Sequence, residues 1–164
     1  MASTQSWSEF NGATAATITT ARAEANWKNI DDSTTVYSAS PITAGNNGFD
    51  KNQAILYGGT YNTLSALTYK VSTATPGTGL SVVASVRSAG VTPSATATGD
   101  AAASTTGTAA NFVSISTGFG AGTATYATAG GVYGQVYRTQ LLTTVAAAPG
   151  DITAVTVTAT WTES

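Results

Sequence analysis

The chain of 164 residues has no histidine and no cysteine, a single methionine, four prolines, and only six Lys/Arg and eight Asp/Glu. Without imidazole there is no Ser-His-Asp or Cys-His relay and no histidine metal ligand. Without thiol there is no disulfide, zinc ribbon or iron–sulfur site. A paired-acid hydrolase needs two carboxyl groups converging across a cleft, and two of the eight acids here, Glu9 and Glu163, lie near the ends of the chain. The neighbours Asp31 and Asp32 project to opposite faces of an extended chain and make no such pair. Gly118-Phe119-Gly120-Ala121-Gly122 has neither the G-x-G-x-x-G spacing nor a Walker lysine, so it reads as a flexible loop. These absences point to a protein that is not an enzyme and carries no cofactor.

Positive charge is equally scarce. Arg22, Lys28, Lys51, Lys70, Arg87 and Arg138 are dispersed and the net charge is −2. Nucleic acid and anionic membranes both call for clustered Lys and Arg, so neither is expected as a partner. No run approaches 18 consecutive apolar residues, and the first residues lack the basic n-region and apolar stretch of a secretory signal.

What is abundant is small. Ala, Thr, Ser and Gly fill 95 of the 164 positions, leaving about 39 larger apolar or aromatic residues, enough for one compact domain. The apolar pattern has a period of two. From Ala154 to Thr162, Val155, Val157, Ala159 and Trp161 alternate with Thr156, Thr158, Thr160 and Thr162, the signature of a half-buried strand. Thr139 to Val145, followed by the turn-forming Pro149-Gly150-Asp151, is expected to pair with it as a hairpin. Leu67 to Val71 and Leu80 to Val86, separated by Pro76-Gly77-Thr78-Gly79, read as a second hairpin. Ala54 to Tyr57, Phe112 to Ser116 and Val132 to Arg138 add further strands. Thr17 to Trp27 carries Ala21, Ala23, Glu24 and Ala25, but its flanking threonines favour extended structure over a helix.

The expectation is an all-β, single-domain antiparallel β-sandwich or jelly roll over residues 16–164, preceded by an extended N-terminal arm over residues 1–15. A long low-complexity loop of Ala, Thr, Ser and Gly is expected near 92–110. Trp7 and Phe10 on the arm need a surface to cover them, either their own sandwich or another subunit, and are the candidate partner-interface residues. Asp31, Asp32, Asn46, Asn47 and Asp50 supply hard oxygen donors for a cation, but their spacing matches no compact calcium loop, and turn or capping roles suit them better. Tyr57, Tyr61, Tyr69, Tyr126, Tyr133 and Tyr137 suit half-buried sheet positions; a glycan platform is the other use of such rings.

One segment carries a family resemblance. Asn26-Trp27-Lys28-Asn29-Ile30-Asp31-Asp32, leading into Ser40-Pro41-Ile42-Thr43-Ala44-Gly45-Asn46-Asn47-Gly48-Phe49-Asp50-Lys51, resembles a pattern in structural proteins of tailed bacteriophages. There an Asn-rich approach precedes Pro-Ile-x-Ala-Gly, an aromatic and a charged residue before a strand. The resemblance covers about 30 residues. It implies a capsid decoration (cement) protein on the outer surface of the virion, binding the major capsid protein and commonly trimeric. The alternative is a receptor- or carbohydrate-binding β-domain of a tail fibre or surface adhesin, with a strand-donating fibre subunit as a third reading.

Overall fold

A computed structural model of the chain describes residues 3–11, 17–22, 24, 26–59, 63–72, 77–86, 105–106, 112–114, 119–120, 126–128, 131–133, 136–150 and 156–163. It is an all-β protein, mostly strands with almost no helix among the described residues. In chain order the strands are β1 (Ser3–Asn11), β2 (Thr17–Thr20), β3 (Lys51–Gly59), β4 (Thr63–Ser72), β5 (Leu80–Val86), β6 (Thr105–Thr106), β7 (Phe112–Ser114), β8 (Phe119–Gly120), β9 (Tyr126–Thr128), β10 (Gly131–Tyr133), β11 (Tyr137–Thr143) and β12 (Thr156–Glu163). Among the described residues a 3₁₀ turn covers Tyr37–Ala39.

Among the described residues the strands form two antiparallel sheets. The first runs β2-β1-β3-β11-β5-β6, with the β9–β10 hairpin also on β3; the second runs β12-β4-β7, with β8 beside β4. Strands β10 and β11 share one edge of β3. Val132 faces Tyr57 and Tyr137 faces Gln53, so the register slips by one residue between the two ladders, as at a bulge. The expected strand over Val132 to Arg138 is therefore divided. The sheets touch where the Trp161 ring meets Tyr57 edge-on, with centroids 5.7 Å apart, and where the amide and hydroxyl of Ser3 donate to the Glu163 carboxylate at 2.9 and 2.6 Å.

The N-terminal arm is not an arm. Ser3–Asn11 is hydrogen-bonded along both edges, to β2 and, with Ser3 facing Gly59 through Phe10 facing Asn52, to β3. Its polar composition hid a central strand whose Ser8, Glu9, Phe10 and Asn11 are all buried. Thr17–Thr20 is extended, as its threonines favour, and Ala21 takes a positive φ of 55° as the chain turns away.

Both expected hairpins are overturned for one reason. Strand β11 has its two edges occupied by β3 and β5, while β12 pairs with β4 in the other sheet. The chain thus passes from one sheet to the other between β4 and β5 and between β11 and β12, instead of returning along the same one. The two crossings rest on each other, with the Thr144 amide donating to the Gly79 carbonyl at 2.8 Å. The alternation in the last strand stands: Val157, Ala159 and Trp161 are half-buried and the intervening threonines exposed. Of the low-complexity stretch near 92–110, only Thr105–Thr106 lies within the described residues, paired with Ala84 and Val83 as a short strand. Phe119–Gly120, expected in a flexible loop, forms a ladder with Leu64 and Thr63.

Candidate functional site

The two faces of β3 are both buried, and its first residues are polar. Cross-strand register places Glu9 opposite Gln53 and Trp7 opposite Ile55, so one face of the first sheet carries apolar side chains toward one end and charged ones toward the other. Trp7 and Ile55 line a cavity of about 280 Å³ together with Val157, Ala159 and Trp161 of the second sheet. Glu9 and Lys51, 0% and 1% exposed at the side chain, form an ion pair of 2.9 Å beneath the connection between β2 and β3.

That connection is tied down from below. Lys51 Nζ also donates to the Asp32 carbonyl at 3.0 Å, and Asn11 Nδ2 bridges Glu9 Oε1 at 3.0 Å and Asp31 Oδ1 at 2.8 Å. Lys28, buried, pairs with Asp32 and donates to the Thr35 carbonyl at 2.7 Å. Asp32 in turn accepts from the amide and the hydroxyl of Thr35, closing the turn in the manner of an aspartate cap. Further along, the Asn29 amide donates to the Ser40 carbonyl, and the Gly48 amide and carbonyl are held by Leu141 and Gln140 of β11. A chain with 14 charged side chains spends eight of them, Glu9, Arg22, Lys28, Asp31, Asp32, Asp50, Lys51 and Arg138, in or beside this buried region.

Above this clamp the loop points outward. Ile30, Val36 and Tyr37 are exposed at 39%, 66% and 37%, and the 3₁₀ turn Tyr37–Ala39 buries none of its residues. A backbone pinned by buried charges thus displays apolar side chains to solvent, an arrangement that lowers the ordering cost of binding a partner. Beside the loop lies a polar cleft of about 390 Å³ lined by Glu9, Arg22, Lys28, Asp32, Thr35 and Lys51 among others. Arg22 Nε stands 3.7 Å from Glu9 Oε2, too far for a hydrogen bond, and both atoms are buried without a hydrogen-bond partner.

The Lys28 ammonium, followed by the Thr35 hydroxyl, holds the Asp32 carboxyl well below the usual carboxylate range. The unfolded chain therefore takes up this proton before the folded one does, and Asp32's contribution to stability is complete above the ordinary Asp range and lost as acid is added. Urea unfolding followed from pH 6 down to about pH 3 is expected to show a steep loss of stability below roughly pH 5. In Asp32→Asn that loss should be shallower, with lower stability at neutral pH.

The sequence-derived candidates distribute as follows. Phe10 is 1% exposed and packs with Ala54 and Val136, flanked by Ile18 and Leu56. It is a core residue of its own sheet, which corrects its assignment as a partner anchor. Trp7 is half-buried at the junction of the two sheets. The oxygen donors diverge: Asp31 receives Asn11, Asp32 receives Lys28 and Asp50 faces Arg138 at 3.8 Å, while Asn46 closes a turn with Thr43. Among the described residues no group of three or more acids converges on a common point. Tyr57 and Tyr137 are buried, and burial pushes the Tyr137 hydroxyl well above its ordinary pKa. The side chains of Tyr61, Tyr69, Tyr126 and Tyr133 lie outside the described residues. Sequence reasoning missed Val36 and Tyr37. The signal for them was present: two large residues among Ser and Thr, next to an Asp-Asp cap and a Pro.

Compared with protein-family models, with characterised proteins and with solved structures, the chain matches none.

Proposed function

We propose that the protein is a non-enzymatic structural protein of a virion, a decoration or cement protein that binds the major capsid protein on the outer surface of the shell. The observation that carries this reading is the clamped loop bearing Ile30, Val36 and Tyr37. Ile30 lies in, and Val36 and Tyr37 lie between, the two segments whose sequence resembles phage structural proteins, and the loop's pinned backbone and outward apolar groups suit a docking surface. The two sheets would form the body of a β-sandwich or jelly roll. The clamp leaves the charges of Lys28 and Asp32 mutually neutralised beneath the loop, so the contact would be made of methyl and hydroxyl groups. Many copies on a symmetric lattice, trimeric in the favoured arrangement, would multiply a modest affinity at each site.

The test is co-sedimentation with purified particles. The wild-type protein is expected to remain bound in molar salt, because screening acts on exposed charges. Val36→Asp should lose at least about tenfold in retention. Val145→Asp, at an 89% exposed site on the β11–β12 connection, should bind as wild type. Release of the wild-type protein by salt, or undiminished binding of Val36→Asp, would overturn the reading.

The polar cleft beside the loop favours a second reading, a carbohydrate-binding β-domain, since its exposed lining residues Glu24, Asn26 and Thr34 offer saccharide hydroxyls both donors and acceptors. Binding to a glycan array with low copy number per particle would select it.

A further inference from the structure

Three side chains at the join of β1 and β3 stand in an arrangement that stability alone does not call for. Glu9 Oε1 accepts both from Lys51 Nζ, at 2.9 Å, and from Asn11 Nδ2, at 3.0 Å. The amine of one strand and the carboxamide of its neighbour are therefore no farther apart than these two hydrogen bonds laid end to end. The register that sets Phe10 opposite Asn52 brings Asn11 beside Lys51. All three residues are buried, at 0%, 1% and 3% exposure for Glu9, Lys51 and Asn11. An apolar pair of similar volume is often as stable as a buried ion pair or more so. Two buried acceptors here, Glu9 Oε2 and Asn11 Oδ1, also lack a hydrogen-bond partner. A buried network left partly unsatisfied asks for another explanation.

We propose that Lys51 and Asn11 condense into an amide bond between Nζ and Cγ, a covalent staple from β3 to β1, with Glu9 carrying the protons. A proton passing from the Lys51 ammonium to Glu9 along their hydrogen bond leaves a neutral amine. Its lone pair attacks Cγ of Asn11, the Nζ–Cγ bond forms, and the carbonyl oxygen gains the electron pair of the C=O bond. Glu9 gives its proton to Nδ2 and takes the second proton from the now cationic Nζ; the oxyanion re-forms the carbonyl, the Cγ–Nδ2 bond breaks, and ammonia leaves, carrying off that second proton as ammonium. Nothing is oxidised or reduced, and no co-reactant is consumed. Burial keeps bulk water, the competing nucleophile, away from Cγ, and strand pairing holds the reactants together, which is the usual source of rate in an intramolecular reaction.

The test is the intact mass of the folded, full-length protein measured under denaturing conditions. The expected mass is about 17 Da below that of the sequence, the loss of one ammonia. Tryptic digestion should yield a branched species in which residues 1–22 are joined to residues 29–70, uncut after Lys51. Lys51→Arg and Glu9→Gln should both have their full sequence mass. Should Glu9→Gln fail to fold, Lys51→Arg, which keeps a cation beside Glu9, decides alone. Asn11 precedes Gly12, a pair prone to closing a backbone succinimide with the same mass loss. A deficit that stays within residues 1–22 and persists in Lys51→Arg would therefore overturn the proposal, as would a wild-type protein at full mass.

Discussion

Lys51→Met is expected to lower the unfolding free energy by about 3 kcal/mol, read as a fall in the urea midpoint. The substitution keeps most of the side-chain volume but leaves Glu9, whose side chain is 0% exposed, without the ammonium that faces it at 2.9 Å. Burying a carboxylate without its counter-ion costs more than the pair itself contributes, because the desolvation of Glu9 is no longer offset. The loss falls at the lower end of the range for broken buried pairs since Asn11 still donates to Oε1 and Arg22 stands 3.7 Å from Oε2. The double variant Glu9→Leu with Lys51→Met removes both charges and should recover the part of the loss that the unpaired carboxylate causes, while the part that comes from losing the Asn11–Lys51 staple stays lost. A double variant as unstable as the sum of the two single ones would show that the charges act independently, contrary to the geometry.

Gly79→Ala is expected to be as damaging for a different reason, costing about 3 kcal/mol, or roughly 10 °C in Tm. Gly79 sits at φ +75°, where a side chain is strained, and an added Cβ would lie 2.6 Å from the Ala147 amide nitrogen and 2.8 Å from the Ala146 carbonyl carbon. These are backbone atoms and cannot swing aside as a side chain would. Gly150→Ala is the control. Its φ is +140° and a Cβ would meet nothing within 4 Å, so it carries only the conformational cost, about 1 kcal/mol. Equal melting temperatures for the two variants would mean that the crossings after β4 and β11 are not pressed together as described.

How far the residues announced this structure depends on where each strand finds its burial. Strand β12 was legible because one face is wet: its threonines and its Val157, Ala159 and Trp161 alternate without interruption. Strand β3 was legible only from Ala54 onward. Lys51, Asn52 and Gln53 look like loop residues, yet they are buried because Glu9 and Asn11 on the neighbouring strand supply polar partners, and no local pattern records a partner 42 positions away. The same holds for β1, whose Ser, Gln and Glu suggested an arm. The turn signals that include Gly77-Thr78-Gly79 and Pro149-Gly150 stand between strands as expected, but they do not record which sheet receives the next strand, a decision made by long-range packing. Phe10 illustrates the consequence for the site: once β1 is seen as a central strand, its aromatic belongs to the core, and the outward apolar role passes to Val36 and Tyr37.

The hydrogen bonds from Ser3 to Glu163 join residues 160 positions apart, and the ladder of β12 on β4 begins with Thr156 facing Ser72. A polypeptide that must bring its first and last strands together meets a large loop-closure entropy before any of those contacts repay it. Chains dominated by such distant pairings fold in milliseconds to seconds, far slower than ones built on local contacts. The clasp between β1 and β12 is therefore expected to make this protein a slow assembler, because the ladder of β12 on β4 waits on strands far apart in sequence.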